Sequence, residues 1–160
     1  MPTVSFWWKP GCATNTRQIG LLREAGCEVL VHDLLTEPWT AASLSAFFGL
    51  RPVAEWFNRA APAVKEGRVV PADFDAESAL ARLLTDPLLI RRPLIEVAGE
   101  RCCGFDAGWL VQHGIRLADG SVPEGCSHGA RGASAECKPQ SPAVRNPAYH
   151  CAPPSGASFP

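Results

Sequence analysis

One cysteine in this chain is placed to do chemistry. Cys12 follows the run Thr3 to Trp8 (TVSFWW) and a Lys9-Pro10-Gly11 turn, where a helix is expected to begin. At a helix start the first backbone N–H groups lack intrahelical acceptors, and the macrodipole adds partial positive charge. Both favour thiolate over thiol and suit an anionic ligand. Gly11 lets the backbone approach a substrate closely, and Lys9 and Arg17 add charge nearby. Position alone leaves a second reading open, an inert apolar cysteine buried at a helix start.

The other cysteines lie at 27, 102, 103, 126, 137 and 151. Seven is an odd count with scattered spacing, unlike a secreted disulfide framework. No basic leader precedes an apolar stretch, and no apolar run is long enough to span a bilayer. A cytoplasmic location with free thiols is the expectation, and Cys27, opening an apolar strand, reads as core. The net charge of −1 gives no electrostatic basis for nucleic acid or an anionic membrane as partner. Trp7 and Trp8 read as strand packing, because the basic stripe of a nucleic-acid platform is missing.

The elements that must hold Cys12 follow from pattern. Thr3–Trp8 is a β-branched and aromatic run stopped by Pro10-Gly11, a buried strand. A helix is expected from about Ala13 to Ala25, with Thr14 or Asn15 capping it and Gly26 at its stop. Cys27 to Leu34 reads as a second strand. Short helical pieces follow, with Leu44, Phe47 and Phe48 in one apolar patch and Val53, Trp56 and Phe57 in another. Asp75 to Leu84 reads as a helix burying Ala76, Leu80, Leu83 and Leu84. Leu94–Val97 and Glu100–Phe105 flank Ala98-Gly99 as a hairpin, and a last helix covers about Asp106 to His113 with Trp109 and Leu110 inward.

The order is β-α-β, helices, ββ, α. It predicts an α/β chain with a mixed sheet flanked by helices, a thioredoxin-like order with a helical insertion. The domain is expected over 1–118. From Asp119 to Pro160 the chain is rich in Gly, Pro, Ser and Ala, which predicts a disordered tail. Cys126, His128, Cys137, His150 and Cys151 in that tail lack the spacings of structural zinc sites, so no metal is expected.

KPGCATNTRQIGLLREAGCEV resembles the opening of the glutaredoxin-coupled arsenate reductase family, through Pro10, Cys12, Thr14 and Arg17. DPLLIRRPLIEVAGERCCGFD resembles that family's Arg-Pro segment and the hairpin after it. PVAEWFNRAAPAVKEG and CCGFDAGWL are similar to the branch called nitrogenase-associated proteins, which implies a nitrogenase-related partner. The resemblance implies Cys12 and Arg92 as the catalytic pair, Gly11, Ala13, Thr14, Arg17 and Pro93 as substrate-binding, and a cis peptide before Pro93. It implies no bound cofactor, and glutathione or glutaredoxin as the thiol partner.

The departures are specific. Val53 and Gly104 stand where two of the family's three oxyanion-binding arginines are expected, and Arg51 and Arg101 are arginines that could reach in. Asn15 occupies the place of a resolving cysteine, so a monothiol cycle, or resolution by Cys102 or Cys103, is required. The absence of a Cys-x-x-Cys pair counts against a redox-sensing transcriptional regulator. Three functions stay open: a thiol-disulfide oxidoreductase, a non-catalytic accessory module for nitrogenase assembly or protection, and a true arsenate reductase.

Overall fold

A computed structural model describes residues 1–118. The expected disordered tail and its Cys and His residues lie outside the described residues. β1 (Thr3–Trp8) is followed by α1 (Ala13–Glu24) and β2 (Glu28–Asp33). α2 (Ala41–Ser45), α3 (Pro62–Lys65) and α4 (Ala76–Thr85) form the insertion, with single 3-10 turns at Val53–Glu55, Pro71–Asp73 and Pro87–Leu89. β3 (Leu94–Val97), β4 (Glu100–Cys103) and α5 (Ala107–Gln112) complete it.

The four strands form one mixed sheet in the order β2-β1-β3-β4. β1 and β2 are parallel, with Phe6 opposite Val31, and α1 is the crossover that such a pair requires. β3 runs antiparallel to β1, with Phe6 opposite Ile95, and β4 antiparallel to β3, with Ile95 opposite Cys102. Ala98 (φ +52°) and Gly99 (φ +87°) make the two-residue turn between them, the geometry that matches strand twist.

Strand alternation divides the core into two apolar clusters. One face of the sheet (Val4, Phe6, Ile95, Val97) packs with Ile19, Leu21 and Leu22 of α1 and Leu110 of α5. Leu94 and Cys103 turn to the other face and join the insertion's Leu44, Phe47, Phe48, Trp56, Phe57 and Leu83. Phe48 and Trp56 stack there with centroids 4.6 Å apart. Fully burying such a side chain contributes about 1.5–3 kcal/mol. This is the thioredoxin-like arrangement the element order predicts.

Two local expectations need correction. Cys12 itself is the N-cap of α1, in extended backbone and with no side-chain cap, whereas Thr14 and Asn15 already lie inside the helix. On α4, Asp75 caps the helix and fixes its phase so that Ala79 and Leu83 are buried, while Ala76 is exposed. Leu80 and Leu84 are partly buried against the same cluster. Among the described residues no helix is long and apolar enough to cross a membrane.

Candidate functional site

The Pro10-Gly11 corner turns the chain sharply between β1 and α1. Gly11 takes φ +79°, a conformation that a side chain would strain, and the Cys12 N–H donates to the Lys9 carbonyl at 3.1 Å. The Cys12 carbonyl already accepts the first helical bond, from the Thr16 N–H at 3.0 Å. The Cys12 residue is 9% exposed, so access to it is narrow.

Beside this corner lies a cleft of about 600 Å³. Its walls come from three stretches distant in sequence: Thr14, Asn15 and Gln18 of α1; Glu55, Phe57 to Ala60 and Lys65 of the insertion; and Arg91, Arg92, Gly104 and Phe105 around the hairpin. Backbone pairing joins the second stretch to the third. The Arg91 N–H donates to Trp56 at 2.8 Å, the Asn58 N–H to Leu89 at 2.7 Å, and Phe57 bridges Ile90. Pro93 follows Arg92 through a cis peptide, as the resemblance implied, and its carbonyl accepts the Gly104 N–H at 2.8 Å.

The cleft is electropositive. Arg59, Lys65, Arg91 and Arg92 face one carboxylate, Glu55. That carboxylate is shared by Arg51 at 3.3 Å and Arg91 at 3.6 Å, and Arg51 also reaches Asp106 at 3.7 Å. Arg91 further donates to the Glu55 carbonyl at 3.4 Å. Gly104 makes room for this guanidinium. At φ +91°, a Cβ there would sit 3.1 Å from Arg91 Nε. The space where an arginine is expected at position 104 is thus filled by the side chain of Arg91.

Of the residues singled out from sequence, Thr14 and Arg92 line the cleft and Pro93 is buried behind it. Cys12 itself, buried at the start of α1, is not part of its wall, and neither are Gly11, Ala13 and Arg17, which are exposed. Val53 packs against the insertion's core cluster. Arg101 is tied to Glu96 at 2.7 Å and lies over the Phe47 ring, away from the cleft. Sequence reading missed Arg59, Lys65 and Arg91, whose approach depends on the Trp56-to-Arg91 pairing and has no local signature.

Cys102 and Cys103 point to opposite faces of β4 and are buried. Burial pushes the Cys103 thiol up to about 12, against the pull of Arg91 and Arg51. Burial also raises the Cys102 thiol, although Arg51 is hydrogen-bonded to it. Neither residue lines the cleft. As thiols held protonated they are poor attacking groups, which counts against either as the resolving cysteine. Cys27 is buried and its thiol raised by burial, in keeping with a core role. Among the described residues no cluster of His, Cys, Asp and Glu could hold a metal.

No protein-family model matches the chain. It is 51% identical over 106 residues to an uncharacterized 15.7 kDa protein in the draG 3' region of Rhodospirillum rubrum, covering 66% of this chain and 74% of that one. It is 30% identical over 105 residues to an arsenate reductase of Rhizobium meliloti, covering 63% of this chain and 74% of the relative. A crystal structure of an ArsC family related protein from Bacteroides fragilis superposes with a TM-score of 0.61 at 23% identity, over 69% of this chain and 98% of that one. That likeness bears on fold, whereas the Rhizobium meliloti relative carries kinship in sequence. With the cysteine corner and the cis-proline in place, the chain belongs to the arsenate reductase family.

Proposed function

We propose that the chain is a cytoplasmic thiol-disulfide oxidoreductase that uses Cys12 as its nucleophile and serves nitrogen fixation. The observation that carries the chemistry is one juxtaposition. The helical turn that Cys12 opens walls a cleft holding Arg91 and Arg92, directly before the cis-proline.

The cycle balances with one protein thiol. The Cys12 thiolate attacks a substrate disulfide; a mixed disulfide forms, and the leaving thiolate takes up a proton. A glutathione thiolate then attacks the Cys12 sulfur of the mixed disulfide and expels the second substrate thiolate, which is protonated. A second glutathione thiolate, or that of glutaredoxin, attacks the glutathione sulfur now joined to Cys12, which frees Cys12 and forms the product disulfide. The substrate is reduced by two electrons, and the reducing thiols are oxidised to a disulfide. Burial of Cys102 and Cys103 favours this monothiol route over internal resolution.

The nitrogen-fixation context is supported by the likeness of PVAEWFNRAAPAVKEG and CCGFDAGWL to nitrogenase-associated proteins. A partner among the nitrogenase-related proteins follows from the same likeness. Arsenate is the second reading, because four cations face the cleft.

The test is glutathione-dependent reduction of a small disulfide, coupled to NADPH through glutathione reductase and repeated with arsenate. The full chain should turn over the disulfide and its Cys12→Ser form should not. Equal rates would leave a non-catalytic accessory module. Arsenate turnover above disulfide turnover would install the second reading. Unimpaired growth on dinitrogen after deletion of the gene would remove the nitrogen-fixation context.

A further inference from the structure

The two edges of the sheet differ. The outer strand on one side, β4, opens with the exposed charges of Glu100 and Arg101, and Arg101 is tied to Glu96 at 2.7 Å. Charged side chains of this kind keep an edge from pairing with another chain. The opposite edge, β2, has six residues and an apolar, proline-free centre, Val29-Leu30-Val31. Val31 lies beside Phe6 on the α1 face of the sheet and Leu30 on the insertion face, yet they are 39% and 45% exposed. Neither layer of helices therefore overhangs the middle of the strand.

The backbone is open there too. β2 bonds to β1 through alternate residues: the Glu28 N–H donates to the Pro2 carbonyl at 3.0 Å and the Leu34 N–H to the Trp8 carbonyl at 2.9 Å. Leu30 and His32 share that direction, so the N–H and C=O groups of Val29 and Val31 point away from the sheet. Among the described residues no strand pairs with that side of β2. The turn after β2 ends the row, because the Asp33 carbonyl accepts from the N–H groups of Thr36 and Glu37. A partner strand must therefore meet Val29 and Val31.

We propose that this edge pairs with β2 of a second copy of the chain, antiparallel, about a two-fold axis at Leu30. Antiparallel pairing sets outward-bonding residues opposite one another, so the copies can shift only in steps of two residues. With the axis at Leu30, Val29 of each copy lies opposite Val31 of the other, and the two pairs exchange four backbone hydrogen bonds. Leu30 meets its own copy, and Glu28 meets His32 of the partner subunit, as close non-hydrogen-bonded pairs. An imidazole N–H donates to a carboxylate in either protonation state of the ring. Both side chains are already oriented: Thr3 Oγ1 donates to Glu28 at 3.0 Å, and Trp7 stacks on His32 with centroids 4.8 Å apart. An axis at Val31 would set Val29 against Asp33 and Leu30 against His32, and one at Val29 would set Leu30 against Glu28. Those registers oppose polar to apolar groups. The strand matches itself in one register, as an isologous interface requires. The cleft takes no residue from β2, so the inference is independent of the function proposed above.

The test is sedimentation of the full chain, kept reduced so that no disulfide joins two copies, between about 5 and 500 µM. The mass should rise with concentration from 17.1 kDa toward about 34 kDa. Over the same rise, NMR should show the Val29 and Val31 amides passing from fast to protected hydrogen exchange, whereas those of Leu30 and His32, bonded to β1, are protected throughout. Leu30→Lys and Leu30→Glu each set like charges against each other at the axis, and each should weaken self-association at least about tenfold. An equimolar mixture of the two variants should associate again, because opposite charges then meet. The exchange measurement needs no substitution, so it decides the matter even if a variant folds poorly. A chain of 17.1 kDa at every concentration, a dimer with Val29 and Val31 unprotected, or one indifferent to both variants would overturn the proposal. So would a mixture associating no better than either variant alone. Protection of Val29 and Val31 in a species of 17.1 kDa would give the edge to another segment of the same chain, and would equally overturn it.

Discussion

Replacing Gly104 by alanine probes the packing that seats Arg91 in the cleft. The backbone at Gly104 has φ +91°, and the new Cβ would lie 3.1 Å from Arg91 Nε, 3.4 Å from Nη2 and 3.6 Å from Cζ. A side chain in left-handed backbone costs about 1–2 kcal/mol. Pushing aside a guanidinium anchored to Glu55 resembles overpacking, about 1–3 kcal/mol more. The expected loss is therefore about 2–5 kcal/mol, read as the free energy of unfolding in urea. Gly26→Ala is the control, because Gly26 has φ +82° and nothing within 4 Å of its would-be Cβ. It should lose only the backbone part. Combining Gly104→Ala with Arg91→Ala should recover the difference, a coupling of about 1–3 kcal/mol. Equal losses at Gly104 and Gly26, or additive effects of the pair, would refute the idea that Gly104 is kept small for Arg91.

Stability should also fall in alkali. The folded Cys103 thiol titrates at about 12, above its unfolded value, so its contribution is complete below about pH 8.5 and is lost as pH rises toward 12. The slope approaches about 1.4 kcal/mol per pH unit within that window, and a Cys103→Ala variant should show a shallower decline in its melting temperature between pH 9 and pH 11. Leu83→Ala, at a fully buried site on α4, should cost about 2–5 kcal/mol in urea denaturation. Cys102→Ala should leave glutathione-dependent turnover intact; its loss would restore Cys102 as the resolving thiol.

Much of the fold was legible because its signals are local. TVSFWW could only be a buried strand ended by Pro10-Gly11, and Ala98-Gly99 between short apolar runs marked the hairpin. The start of α1 at Ala13 was legible, but its cap was placed two or three residues late, because cap rules look for a hydroxyl or carboxamide and Cys12 caps with its backbone alone. The inner face of α4 was read from its leucines, which hid the burial of Ala79. At the site, Cys12 and Arg92 were visible through their turn and their proline. Arg59, Lys65 and Arg91 were not, since the pairing of Trp56, Phe57 and Asn58 with Leu89, Ile90 and Arg91 spans about thirty residues and leaves no periodic trace. Arg51 was the better of the two arginines considered, yet it serves the site indirectly, through Glu55.

Site-resolved alkylation of the native chain, followed by mass spectrometry, asks most directly whether Cys12 is a working nucleophile. Cys12, Cys27, Cys102 and Cys103 are all buried, at 9%, 6%, 6% and 0% exposure, so accessibility alone would make the first three react alike. We expect iodoacetamide at neutral pH to label Cys12 well before the other three, which should react only on unfolding. Cys12 labelling as slowly as Cys27 or Cys103 would contradict a redox role and reduce the corner to packing.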